Sequence, residues 1–319
     1  MKRIAVALML SLAAAVAPAQ TFPERAIKIV VPYPPGASTD ILARQMAEGM
    51  GQALGQSVLV ENKPGGNAII GLQSVATSPP DGYTLAFLDP SFASNPSLQK
   101  DVPYSLKNFA PVSLAGTAGL IWVVHPDVKA ATAKEFIALA KAEPGKLTYG
   151  HSGIGSPPHL APEFLKAKAG IDVLAVPYKG SGPAVQDLLG GRLSMMMTGV
   201  SAVKQHVDTG KLRAIAVTGK ARSPVMPNVP TLSEAGVPIP ELEEGTWWGI
   251  AAPAGTPPAV IARLNKAMEQ AASNPAIKEK LAAQNILTLH STPEAFSALI
   301  VKETAAYADV IKAAGIKAE

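Results

Sequence analysis

Ile27-Lys28-Ile29-Val30-Val31-Pro32-Tyr33-Pro34-Pro35-Gly36-Ala37-Ser38-Thr39-Asp40 is the stretch that decides the fold. Its first five residues form a short run dominated by β-branched side chains, which predicts a buried strand. Proline stiffens the exit from that strand, and Gly36 relieves the steric limits on the backbone. A helical pattern begins near Thr39, with Leu42, Met46 and Met50 at four-residue spacing. Ser38 or Thr39 is placed to cap this helix, leaving its free N–H groups and positive end facing outward. Such an end suits an anion.

The same alternation continues along the chain. Apolar runs at 58–60, 83–88, 121–124, 174–176, 193–197 and 214–218 read as further buried strands. Helical patterns lie between most of them. One begins near Thr132, where Thr132-x-x-Glu135 makes a capping box. Others begin after Pro183, after Thr256-Pro257-Pro258 and after Thr292-Pro293, with proline where a first turn tolerates it. Strand and helix in alternation predict an α/β fold with mostly parallel sheets flanked by helices. The chain has 319 residues, and a core beyond about 250 residues tends to split. Crossings near Trp122–Pro126 and through Pro238–Gly245 would divide it into a discontinuous first domain, 20–122 plus 246–319, and an inserted second domain, 123–245.

At the N-terminus Lys2 and Arg3 precede the apolar run Ile4–Val16, and Ala17-Pro18-Ala19 supplies the small residues of a cleavage site. This pattern predicts a secretory signal peptide over 1–19, cleaved after Ala19, and export to the periplasm. There is no cysteine, so neither a lipid anchor nor a disulfide frame is available and stability must come from the core. The net charge of +4 includes Lys2 and Arg3, and the remaining basic residues are scattered without a block. Nothing in that distribution implies a nucleic-acid partner.

A second loop, Tyr149-Gly150-His151-Ser152-Gly153-Ile154-Gly155-Ser156-Pro157-Pro158-His159, also enters a helix, from the other predicted domain. Two helix ends facing one cleft would hold a carboxylate between them. A weaker third candidate is Asp89-Pro90-Ser91-Phe92-Ala93-Ser94-Asn95, which follows a strand end and brings in Ser91. Gly150-His151-Ser152-Gly153-Ile154 begins like a nucleophile elbow but has isoleucine at its final glycine, leaving a serine hydrolase using Ser152 with His151 or His159 as the competing class. The phosphate-binding and dinucleotide motifs are absent. His125, His151, His159, His206 and His290 show no metal-ligand spacing, so no metal or cofactor is expected. Trp247 and Trp248 read mainly as core, since neighbours on a strand point to opposite faces and at most one can reach a cleft. Core packing also accounts for Met195, Met196 and Met197.

At these same residues the chain resembles the substrate-binding receptors of tripartite tricarboxylate transporters, the Bug family. The likeness covers the loop at 32–40, Glu61-Asn62-Lys63-Pro64-Gly65-Gly66, Asp81-Gly82-Tyr83-Thr84-Leu85 and Ser152–Ser156 leading to His159-Leu160. It continues through Val176-Pro177-Tyr178-Lys179-Gly180, Gly210-Lys211-Leu212-Arg213 with Ala216-Val217-Thr218, and Pro230–Gly236. The resemblance implies a two-lobed, type II-like periplasmic-binding-protein fold with the ligand cleft between lobes. It also implies a monomeric receptor, not an enzyme, that closes on a small mono-, di- or aromatic carboxylate and delivers it to the membrane components of such a transporter, or to a sensor. The implied ligand contacts are Tyr33, Pro35, Gly36, Ala37, Ser38, Thr39 and Asp40 from the first loop and His151, Ser152, Gly153, Gly155 and Ser156 from the second. Tyr178 and Thr198 are added as ligand-facing positions. The family usually carries a second glycine where this chain has Ala37, and often an aspartate where it has Thr198, which points away from an amino-acid ligand.

Overall fold

The structure is a computed structural model that describes residues 22–36, 38–178 and 180–316, so the expected signal segment and Ala37 lie outside the described residues. The first unit opens with β1 (Ile27–Val31), α1 (Ser38–Leu54), β2 (Val58–Asn62), α2 (Ile69–Ala76), β3 (Thr84–Leu88), α3 (Pro90–Leu98) and β4 (Phe109–Ala118). The chain then builds β5 (Leu120–Val124), α4 (Ala133–Ala142), β6 (Thr148–His151), α5 (Pro157–Ala169), β7 (Leu174–Pro177), α6 (Ser181–Leu189), β8 (Met195–Gly199), α7 (Val200–Asp208) and β9 (Arg213–Val217). It returns through β10 (Thr246–Pro253), α8 (Pro258–Ser273), α9 (Pro275–Ala282), β11 (Leu287–Thr288) and α10 (Pro293–Ala313).

Two sheets result, ordered β11-β4-β10-β3-β1-β2 and β7-β6-β8-β5-β9. Both are mixed. The βα units pair in parallel, β1 with β2 and β3, and β6 with β7 and β8. The strands that carry the chain between units run against their neighbours: β10 against β3 and β4, and β5 against β8 and β9. Leu174–Pro177 is not a buried strand but the exposed edge of the second sheet, with Leu174 49% accessible. Pro177 at its end is tolerated because an edge strand leaves one side unpaired.

The first passage between sheets lies at Gly119, ahead of Trp122, which sits in the middle of β5. A side chain at Gly119 is excluded, because a Cβ would stand 2.4 Å from the Thr218 carbonyl oxygen. The two passages run side by side there. The Leu120 N–H donates to Thr218 Oγ1 and the Thr218 N–H to the Leu120 carbonyl, both at 2.8 Å. A third connection is α10. Its Phe296 and Ile300 pack in the core of the first unit with Trp247, whereas Tyr307, Val310 and Ile311 pack in the core of the second with Phe164. The helix assigned from sequence to the first domain therefore braces both.

Several local expectations are met by named contacts. Thr132 caps α4 by accepting from the Glu135 N–H at 3.2 Å, and Glu135 reaches back to accept from the Ala131 N–H at 2.7 Å. Thr292 caps α10 in the same way, accepting from the Ala295 N–H. Leu42, Met46 and Met50 are fully buried along one face of α1.

Candidate functional site

The first loop leaves β1 at the edge of the cleft between the sheets. Ser38 and Thr39 are the first two residues of α1 rather than its cap. Thr39 is held from the far side of the sequence by the indole N–H of Trp248, which donates to its hydroxyl at 3.0 Å. Asp40 closes the turn: its carboxylate accepts from the Gly36 N–H at 3.0 Å, from Arg44 Nε at 2.9 Å and from Asn62 Nδ2 at 2.9 Å. Burial alone would raise the Asp40 pKa, but the Arg44, Asn62 and Gly36 hydrogen bonds outweigh it and hold the carboxyl below its ordinary value. The Gly36 N–H is thereby occupied and unavailable to an anion. What the loop offers instead is the first turn of α1, whose leading N–H groups have no intrahelical partner.

The second loop follows β6 and is built differently. Pro157 and Pro158 open α5, and proline has no N–H, so this helix end lacks the two donors its position would supply. The Gly155 N–H donates to His159 Nδ1 at 3.0 Å, and the Ser156 hydroxyl to the Gly153 carbonyl at 2.8 Å. Gly155 has a φ of +75°, and a Cβ there would meet Leu98 Cδ1 at 2.1 Å, so the loop lies directly against α3 of the first unit. Among the described residues the Ser152 and Ile154 N–H groups take no protein acceptor, which makes them the loop's available donors.

Beneath this loop is a polar platform that the sequence pattern did not reveal. His151 and His159 stack at 4.0 Å with their rings 11° apart, and the Tyr149 ring lies 6.3 Å from His159 at an interplanar angle of 28°. Burial holds both imidazoles below their ordinary range, His159 down to about 3, with His151 and Lys166 adding to the depression of His159. The Tyr149 hydroxyl donates to Glu163 Oε1 at 2.6 Å, and Lys166 Nζ donates to the same oxygen at 2.8 Å. Each Nδ1 is engaged by the loop backbone: His159 by Gly155, and His151 by Gly153 in either tautomer. Ser152 Oγ pairs with Ser156 Oγ at 3.2 Å rather than with an imidazole. No serine–histidine pair forms among the described residues, and no group of three His, Cys, Asp or Glu there has metal-binding geometry.

The hydroxyls of Tyr33, Ser91, Tyr178 and Thr198 have neighbours of their own, while the Tyr178 N–H donates to the His151 carbonyl of the second loop at 3.0 Å. The Ser91 hydroxyl is already paired, donating to Asp89 and lying 2.9 Å from the Tyr33 hydroxyl. Burial raises the pKa of both Tyr33 and Asp89. Tyr178 donates to Asp187 at 2.6 Å, beside the Asp187–Arg192 ion pair, and its pKa is pushed up to about 12 by burial and by Asp187. Thr198 is fully buried in β8, 3.5 Å from the Ser181 hydroxyl. The chain meets the cleft again just after Thr198. A cavity of about 140 Å³ between the units is walled by Ser38, Pro157, Gly199, Val200 and Trp248, among others. Trp248 is thus both core and cavity wall, while Trp247 turns to the opposite face and donates to Glu303 at 2.7 Å.

Two mixed α/β sheets joined by adjacent passages, with a strand-to-helix loop from each side reaching a common cleft, define a two-lobed solute-binding protein of the periplasmic type. The chain belongs to the tripartite tricarboxylate transporter receptor family, whose model matches residues 42–316. It is 38% identical over 302 residues to protein BugT of Bordetella pertussis, covering 94% of this chain and 92% of that one. Among solved structures, periplasmic binding protein BugD is 34% identical with a TM-score of 0.74, over 93% of this chain and 100% of that one. Rpa4515 of R. palustris, solved with adipate, is 31% identical with a TM-score of 0.77 over the same shares.

Proposed function

We propose that this protein is an exported receptor that captures a small organic carboxylate by closing its two lobes and presents it to the membrane components of a tripartite tricarboxylate-type transporter. The single observation that carries this reading is the shared cavity wall: Ser38 from the start of α1 and Pro157 from the start of α5 face the same space. In this reading the carboxylate takes the leading N–H groups of α1 from one lobe and the Ser152 and Ile154 N–H groups from the other. Several N–H bonds to a carboxylate and one partly buried helix end, the latter contributing up to about 2 kcal/mol, suffice without a cationic side chain. The adjacent passages at Gly119 and Thr218 act as the hinge, and the ligand favours the closed form by its greater affinity for it. The adipate bound by Rpa4515 is consistent with this ligand class.

The signal segment directs the chain to the periplasm, where the mature protein, starting at Gln20, acts as a monomer and performs no catalysis. The test is a thermal-shift screen of the mature protein against organic acids paired with their amides. A bound acid at a hundredfold excess over its dissociation constant adds about 2.7 kcal/mol of apparent stability. Stabilisation by an acid and not by its amide supports the reading; equal shifts with both, or none across the acids, count against it.

A further inference from the structure

Gly155, in the second loop, is buried, and the three atoms nearest its side-chain position all belong to Leu98 of the first lobe. Leu98 is the last residue of α3 and only 9% exposed. Earlier in that helix the side chains are fastened to the first lobe. Phe92 packs on Tyr104 and Phe109, and Asn95 Nδ2 donates to the Asn67 carbonyl at 2.8 Å and to the Tyr104 hydroxyl at 3.0 Å. Ala93 and Leu98 instead join the core of the second lobe with Tyr149, Leu160 and Phe164, against which Ile154 also packs. α3 thus reaches from one lobe to the other, anchored in the first and inserted into the second. A leucine seated where the loop has no Cβ is held by burial and close contact, and both are lost if the lobes part. Gly155 is also tied within its own lobe, its N–H donating to His159 Nδ1 at 3.0 Å. It adjoins Ile154, whose N–H, like that of Ser152, takes no protein acceptor among the described residues.

We propose that Leu98 is a positioning residue for the second loop: seated on Gly155, it holds the loop in the form that presents the Ser152 and Ile154 N–H groups, and so ties that presentation to the approach of the first lobe. This rests on the carboxylate reading of the two loops and adds a side chain which that reading does not use. A carboxylate then finds both sets of donors in place only when α3 has come up to the second lobe, and its binding favours that arrangement.

The experiment measures amide hydrogen exchange in the mature protein with no ligand added, and calorimetric titration with acetate, benzoate, malate and adipate. The variants are Leu98→Ala, Leu98→Met and Leu264→Ala. Leu264 is fully buried on α8 in the core of the first lobe, so its truncation lowers stability without touching the loop. Burying a leucine side chain is worth about a factor of ten or more, so Leu98→Ala should speed exchange at Gly155 about tenfold or more. It should also weaken, by about the same factor, each acid that the wild type binds. Leu98→Met conserves volume and should stay within about threefold of the wild type in both readouts, as should Leu264→Ala. If Leu98→Ala does not fold, Leu98→Val should move both readouts in the same direction. Unchanged Gly155 exchange in the folded variant, or an equal acceleration in Leu264→Ala, would overturn the positioning role whatever binds. Faster exchange with unchanged affinity would overturn its link to capture. Binding of none of the acids by the wild type counts against the carboxylate reading and removes the ligand step with it, while Gly155 exchange still decides whether Leu98 holds the loop.

Discussion

The Trp248 indole N–H donates to the Thr39 hydroxyl at 3.0 Å, joining residues 209 positions apart in the chain. The bond fastens the first turn of α1, which carries the donors of the first loop, to β10, the strand that returns from the other lobe. Replacing Thr39 by valine keeps the shape and removes the acceptor, leaving a buried indole N–H unpaired at a cost of about 1–3 kcal/mol. Chemical denaturation should show that loss as a lower midpoint with an unchanged slope. A midpoint equal to that of the wild type would mean that the bond does not hold the turn.

Asp40 should matter in the same loop through a different bond. Asp40→Ala frees the Gly36 N–H and takes away the carboxylate that accepts from Arg44 Nε and Asn62 Nδ2, and the loss should be about 2 kcal/mol or more at neutral pH. Because the folded pKa lies below the ordinary 3.8, the carboxylate's contribution is present above that value and disappears as pH falls through the folded pKa. Wild-type and variant stabilities should therefore converge at low pH; a gap that stays constant into acid would contradict the ion-pair origin.

Glu303 should act in the opposite sense. It is buried against Trp247 and Tyr307, and burial lifts its pKa from 4.5 to about 7, although the hydrogen bonds from those two residues pull it down. The folded state then holds the proton more tightly than the unfolded chain. Its stabilising contribution is complete below about 4.5 and is lost as pH rises through about 7, by up to roughly 3 kcal/mol. Glu303→Gln should flatten that part of the pH–stability curve and leave the variant relatively more stable at pH 8. An unaltered pH profile would show that the carboxyl titrates normally.

The histidine platform gives a separate acid limb. His159 is held down to about 3, so between there and its ordinary 6.5 the unfolded chain binds the extra proton and stability declines as pH falls. His159→Ala should remove part of that decline while losing the acceptor for the Gly155 N–H. The second loop would then loosen, and weaker acid binding at pH 7.5 would register that change independently of stability.

The sequence discloses what local chemistry determines. The β1–α1 unit, the Thr132 and Thr292 caps and the proline starts of α8 and α10 are written in a few adjacent residues, and they appear where those residues stand. β4 and β10 escaped because their partners are distant. Pro111 and Gly116 blur the alternation in β4, and its pairing with β10 is irregular at Trp248/Gly249 and Ile250/Ala251. The weakness of the second helix end was visible in Pro157-Pro158, which cannot donate, but glycine and serine nearby suggested a donor-rich turn. The cavity had no local signature at all, since Ser38, Gly199 and Trp248 meet only after the chain has passed between the sheets twice.

The most direct measurement is a crystal structure of the mature protein with the acid that gives the largest thermal shift. Capture between the lobes places the carboxylate between the first turn of α1 and the Ser152–Ser156 loop, with N–H donors from both. A carboxylate bound elsewhere, or held by one loop with the other untouched, would contradict capture between the two lobes.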